Sequence, residues 1–163
     1  MKHASDYTFS PVEHRDLDLL ETWLNGPLLR DRGDPSEELE DIEGDLRDPS
    51  VTALLVRHRG QPFAYIQDQD VRRWPQPHLL DLPTGTRALD TFLGDATMVD
   101  HQYRYIRERA SQLHLSGTRM VVADLLEEDV CAQIAYRRAG FEPSALIHAG
   151  SAAIIRLLCC TPD

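Results

Sequence analysis

A chain of 163 residues with 42% hydrophobic and 27% charged side chains carries enough apolar material for one folded domain with a real core. Its net charge of −10, from 27 acidic against 17 basic residues, argues against nucleic acid as a partner, since that requires a basic face to displace phosphate counterions. No apolar run reaches membrane-spanning length, none at the start reads as a secretory leader, and three cysteines give neither a disulfide framework nor a zinc spacing. The expectation is a cytoplasmic protein with reduced thiols, no membrane partner and no metal. An acidic surface suits a cationic small molecule, and equally serves solubility alone.

The elements are legible in chain order. Tyr7–Val12 alternates as a first strand, and Leu17, Leu20, Trp23 and Leu24 then recur at helical spacing. Asn25-Gly26-Pro27 stops that helix with a pair tolerant of left-handed backbone and then a breaker. A second helix opens at Asp34-Pro35-Ser36-Glu37, with Asp34 as cap and Pro35 at the first helical position. Leu39, Ile42 and Leu46 form its apolar face. Two strands, Val51–Arg57 and Phe63–Gln69, flank the turn His58-Arg59-Gly60-Gln61. Arg72–Thr86 reads as a loop with three prolines after Trp74, long enough to suggest a functional segment.

Arg87–Gly94 reads as a strand, and His101–Leu115 as a helix with Ile106, Ala110 and Leu113 on one side and Gly117 at its end. Arg119–Asp124 reads as a short apolar strand that ends in an acid. Asp129–Ala139 is a helix with Val130, Ile134 and Ala135 inward and Gly140 just past its end. The tail divides at Ala149-Gly150-Ser151 into two strands. The order β-α-α-β-β-β-α-β-α-β-β, without repeats or linkers, predicts one mixed α/β domain over residues 1–163, a sheet covered by helices.

Two carboxylates stand out. Asp90 lies between Leu89 and Phe92 in an apolar strand, where a charge is costly unless paired or functional. An outward-facing strand position is the plain alternative. Asp124 closes its strand, at the kind of strand end where ligands collect in α/β sheets, and also suits a helix-proximal cap. His78 and His148 have no partner visible in the sequence and receive no role.

Several segments resemble a known family. DVCAQIAYRRAGF, Asp129–Phe141, is similar to the closing motif of the GNAT acetyltransferases, whose last helix ends in Tyr-x-(Lys/Arg)-x-Gly-Phe. PFAYIQDQ, Pro62–Gln69, followed by Trp74 and by GTRALDTF, Gly85–Phe92, resembles the branch that holds the aminoglycoside 6′-N-acetyltransferases and relatives acting in siderophore synthesis. The likeness runs from about Phe9 to Phe141. It implies the GNAT acyl-CoA N-acyltransferase fold, α/β with a central mixed, mostly antiparallel sheet flanked by helices. It also implies transfer of an acetyl group from acetyl-CoA to a primary amine of a small polycationic acceptor, aminoglycoside-like or polyamine-like.

By this resemblance Asp90 is the base or anchor for the amine, Asp124 binds a second amine, and Tyr136 protonates the leaving thiolate. Core packing is the ordinary alternative for Tyr136. Trp74, Gln67 and Tyr65 are candidate walls of the acceptor site, since aromatic faces suit sugar rings and cations; core packing is the alternative for Tyr65. The sheet edges of the C-terminal strands offer a surface on which two subunits can pair as a homodimer.

One stretch departs from the family pattern. The pyrophosphate of acetyl-CoA is ordinarily held by backbone N–H groups of a Gln/Arg-x-x-Gly-x-Gly loop at a helix start, where glycines permit close approach. Met98–Ala110, MVDHQYRYIRERA, has no glycine, and Val99, Asp100, Gln102 and Arg104 fall at the pattern's positions. The cofactor-facing set is then Val99, Asp100, His101, Gln102, Tyr103 and Arg104, with Asp129 in place of the usual Asn. Two expectations follow. Either His101, Arg104 and Arg107 supply the missing attraction and the protein is an enzyme, or it is a catalytically inactive binding module on the same fold.

Overall fold

The computed structural model describes residues 5–73 and 75–161. It is a mixed α/β structure with a seven-stranded sheet in the order β1-β2-β3-β4-β5-β7-β6. The strands are β1 (Tyr7–Pro11), β2 (Val51–His58), β3 (Gln61–Asp70), β4 (Arg87–Leu93), β5 (Met120–Leu126), β6 (Glu142–Ala149) and β7 (Ala152–Cys160). The helices are α1 (Leu17–Leu24), α2 (Pro35–Asp45), α3 (Gln102–Leu115) and α4 (Val130–Arg138). The order of strands and longer helices is the one the sequence pattern predicts. β1–β2, β5–β7 and β6–β7 pair antiparallel, and β4–β5 is parallel. The chain forms two compact units, Met1–Asp68 with Thr91–Asp100, and Gln69–Asp90 with His101–Asp163.

In the first unit, Asp34 caps α2 as its sequence suggests, its carboxylate accepting from the amides of Ser36 and Glu37, with Pro35 at the start of the helix. Ile42 of α2 and Leu20 and Leu24 of α1 join Val12, Leu17, Leu55, Tyr65 and Phe92 in one buried cluster, against which Leu39 and Leu46 also pack. Full burial of Leu20 and Leu55, both at 0% exposure, stabilises the fold by about 1.5–3 kcal/mol each. The β2–β3 hairpin turns on Arg59-Gly60 alone, at φ 51° and 82°; such a doubly left-handed turn matches the strand twist and is why a glycine stands there. The end of α1 differs from expectation. Asn25 and Gly26 both keep negative φ, and Asn25 instead donates its side-chain amide to the Glu21 carbonyl.

In the second unit, α4 ends as a Schellman motif. The Phe141 amide donates to the Tyr136 carbonyl and the Gly140 amide to Arg137, with Gly140 at φ 105°. The Tyr136 and Phe141 rings meet edge to face at 5.1 Å, the hydrophobic contact that accompanies this cap. The inward face of α4 corrects the sequence reading. Val130 and Ile134 are exposed, and Tyr136 and Ala139 are buried. The stripe 132, 135/136, 139 combines small alanines, which allow close approach, with one large ring, and that combination displaces the β-branched face.

Arg72–Thr86 is more ordered than a bare loop. Pro77–Leu79 forms a 3₁₀ turn, and Leu79 and Leu82 are buried in a second cluster with Val71 and Val122. Cys131, Cys159 and Cys160 are free thiols, and burial pushes the Cys159 thiol above its ordinary pKa. No helix among the described residues is long and apolar enough to cross a membrane.

Candidate functional site

The parallel pairing of β4 and β5 covers Arg87–Val121 and Ala88–Val122, although β4 runs on to Leu93 and β5 to Leu126. Asp90 and Asp124 each stand two residues beyond the last of these pairs, so strand alternation puts both on the sheet face of Ala88 and Val122. Asp90 is half-buried, between buried Leu89 and Thr91 that point the other way, as alternation predicts. Two acids thus occupy equivalent positions on neighbouring strands, a setting that suits a cation.

Asp124 has a partner that sequence reading did not find. Its Oδ2 lies 2.6 Å from Nε2 of His78, whose ring sits in the Pro77–Leu79 turn. Arg156, the cross-strand partner of Asp124 on β7, donates to the His78 carbonyl and pairs with Asp81 at 3.0 Å. Its Nε donates to the Ser144 hydroxyl at 2.9 Å. His78 and Asp124 stand 46 positions apart with no periodic signal that links them, so only the fold reveals the pair.

The other expected acceptor residues divide. Gln67 accepts a 2.6 Å hydrogen bond from the Tyr65 hydroxyl. Tyr65 itself is 1% exposed and stacked on Phe92 at 5.0 Å, so it presents its hydroxyl to Gln67 and its ring to the core. Trp74 lies outside the described residues. Tyr136 is buried against Phe141. Asp68, at 1% exposure in β3, is a buried carboxylate that sequence reading passed over; the argument that singled out Asp90, an acid in an apolar strand, applies to it equally.

The glycine-free segment folds as a 3₁₀ turn over Ala96–His101 that leads directly into α3. Asp95 opens it, accepting from the Thr97 hydroxyl and amide, which hold its carboxyl below the usual carboxylate range. Val99 and Asp100 are exposed, His101 precedes the helix, and Gln102 begins it. Asp129 caps α4, accepting from the Ala132 amide.

Tyr103 collects three guanidinium groups. Arg138 lies 3.9 Å from its ring centroid, Arg107 5.5 Å and Arg104 5.6 Å, and Arg104 Nε donates to the Tyr103 hydroxyl. That hydrogen bond, joined by the three positive charges, holds the phenol below its ordinary pKa. Three arginines on one ring form a local cationic patch in a chain of net charge −10, and guanidinium forks match phosphate oxygens. The residues present therefore fit a phosphate-bearing co-substrate through side chains, where glycine loops use backbone. Sequence reading had Arg104 and Arg107 but missed Arg138, which comes from the next helix.

The chain matches solved structures across nearly its whole length. It is similar to the aminoglycoside acetyltransferase AAC(6′)-Ib in complex with ribostamycin and coenzyme A, with a TM-score of 0.84, 18% identity, and 96% of this chain and 94% of that one covered. An aminoglycoside N(6′)-acetyltransferase from Legionella pneumophila gives 0.80, 20%, 98% and 94%. A spermidine N-acetyltransferase SpeG chimera from Vibrio cholerae and hSSAT gives 0.70, 10%, 96% and 96%. At these identities the likeness shows the fold. No curated protein matches the sequence. The family model described as "Acetyltransferase (GNAT) domain" matches residues 13–149, and the chain belongs to that family.

Proposed function

We propose that this protein moves an acetyl group from acetyl-CoA to a primary amine of a small polycationic acceptor, of amino-sugar or polyamine type. The observation that carries the reading is the pair Asp90 and Asp124, set at equivalent places beyond the last β4–β5 pairs and on one sheet face. Family membership supplies the reaction class, and solved relatives of the same fold act on aminoglycosides and spermidine.

In this reading Asp90 anchors the ammonium or takes its proton, and Asp124 holds a second positive group of the acceptor. The amine nitrogen forms the new C–N bond as the C–S bond breaks, the Tyr136 hydroxyl gives the leaving thiolate its proton, and the surplus proton on the acylated nitrogen is released through solvent and restores that hydroxyl. Acetyl-CoA supplies the activated acyl group. Arg104, Arg107 and Arg138, gathered on the Tyr103 ring, would hold its phosphates.

A second reading, a catalytically inactive binding module, is favoured by one observation: the Ala96–His101 turn has no glycine and carries the exposed carboxylate of Asp100. Calorimetric titration with acetyl-CoA separates the two. Saturable micromolar binding supports the enzyme; no heat and no thermal stabilisation at millimolar acetyl-CoA sinks it. In the active protein, Asp90→Asn abolishes transfer and leaves acetyl-CoA affinity unchanged.

A further inference from the structure

His78 is held more firmly than a loop histidine needs to be. The proline before it starts a 3₁₀ turn, and the leucine after it, Leu79, is buried with Leu82, Val71 and Val122. Its own carbonyl accepts from Arg156 Nη1, which also pairs with Asp81. The backbone on both sides of the residue is thus tied down, and the side chain, 15% exposed, is turned toward Asp124.

In that orientation Nε2 lies 2.6 Å from Oδ2 of Asp124. A carboxylate accepts, so the neutral imidazole bonded to it carries its hydrogen on Nε2 and its lone pair on Nδ1. This tautomer is assigned from the bonding partner. Nδ1 makes no hydrogen bond to any described residue. A carboxylate that orients an imidazole and leaves the other nitrogen basic is the arrangement by which acid–histidine pairs move protons. Asp124 on β5 is the charged group that meets the ring; Arg156 on β7 meets the His78 carbonyl and Asp81, and Asp90 stands on the neighbouring strand β4.

The acetyl transfer proposed above needs a proton acceptor, because a primary amine held by Asp90 is a cation with no lone pair to give. We propose that His78, oriented by Asp124, takes that proton at Nδ1 while Asp90 holds the nitrogen in place. The N–H pair of electrons stays on nitrogen and becomes the nucleophile. The imidazolium that forms is stabilised by Asp124, and its proton leaves through the exposed edge of the ring. Asp124 is then a positioning residue for the imidazole as well as an acceptor-side acid.

The proposal rests on the transfer reading, and the experiment distinguishes the two. Amine-dependent release of free thiol from acetyl-CoA is followed across pH for wild type, His78→Gln and Asp124→Asn, with spermidine and an aminoglycoside as acceptors. Wild-type kcat/KM is expected to rise through a limb set by an imidazole. His78→Gln is expected to lose that limb and about 100- to 10,000-fold in kcat, with acetyl-CoA affinity unchanged. An active wild type with an unaltered His78→Gln profile overturns the role of His78 alone. A wild type that releases no thiol with either amine overturns transfer, and this proposal with it. The pair is also read without turnover, by NMR of the His78 ring. A proton on Nε2 in the neutral ring is expected, and a proton on Nδ1 overturns the assignment.

Discussion

Arg156→Met tests whether the Arg72–Thr86 segment is seated from β7. Methionine keeps most of the apolar stem and removes the guanidinium, whose side chain is 11% exposed. Two contributions to the seat are lost. The charged donor to the His78 carbonyl is worth about 1.5–3 kcal/mol. The pair with Asp81, a side chain 68% exposed, adds only about 0–1 kcal/mol after solvent screening. A combined loss of about 1.5–4 kcal/mol lowers Tm by roughly 3–16 °C if the seat and the core unfold together. If the segment opens by itself, the same energy speeds local amide exchange by about 10- to 900-fold. The amides to watch are Leu79, bonded to the Gln76 carbonyl, and Leu82, bonded to Leu79. Hydrogen exchange resolved at these amides, with a parallel melt, separates the cases. Unchanged exchange and an unchanged Tm refute the idea that Arg156 fixes the segment.

Two further outcomes follow from the geometry. A Cβ on Gly94 meets the Trp23 ring at 2.1 Å, so Gly94→Ala forces the indole out of its seat and costs about 1–3 kcal/mol in chemical denaturation. In a Trp23→Ala background the same change is nearly neutral, and additive effects contradict the contact. Tyrosinate absorbance across pH shows Tyr103 ionising below the ordinary tyrosine range, a component missing in Tyr103→Phe. Because the folded pKa is the lower one, the stability Tyr103 adds is fully present above the ordinary 10.0 and is lost as pH falls through the folded value.

Local chemistry made much of the fold readable. Asp34-Pro35 starts α2 because a carboxylate satisfies orphan amides and proline needs no donor there. Arg59-Gly60 turns the hairpin, and Gly140 ends α4, because each needs left-handed backbone. The inward face of α4 was not readable: apolar residues lie on both of its faces, and the choice falls to what packs against it. The site divides the same way. Asp90 and Asp124 are conspicuous within their own strands. His78 meets Asp124 from an aperiodic loop, and Arg138 joins Arg104 and Arg107 from a different helix, so neither cluster exists until the chain has folded.

The central claim is acetyl transfer to an amine, and the most direct measurement is free-thiol release from acetyl-CoA over a panel of aminoglycosides and polyamines, with mass analysis of the acceptor. The account predicts amine-dependent release, one acetyl group added to a primary amine, and loss of both in Asp90→Asn. No release with any amine, or transfer that survives Asp90→Asn at the wild-type rate, contradicts it.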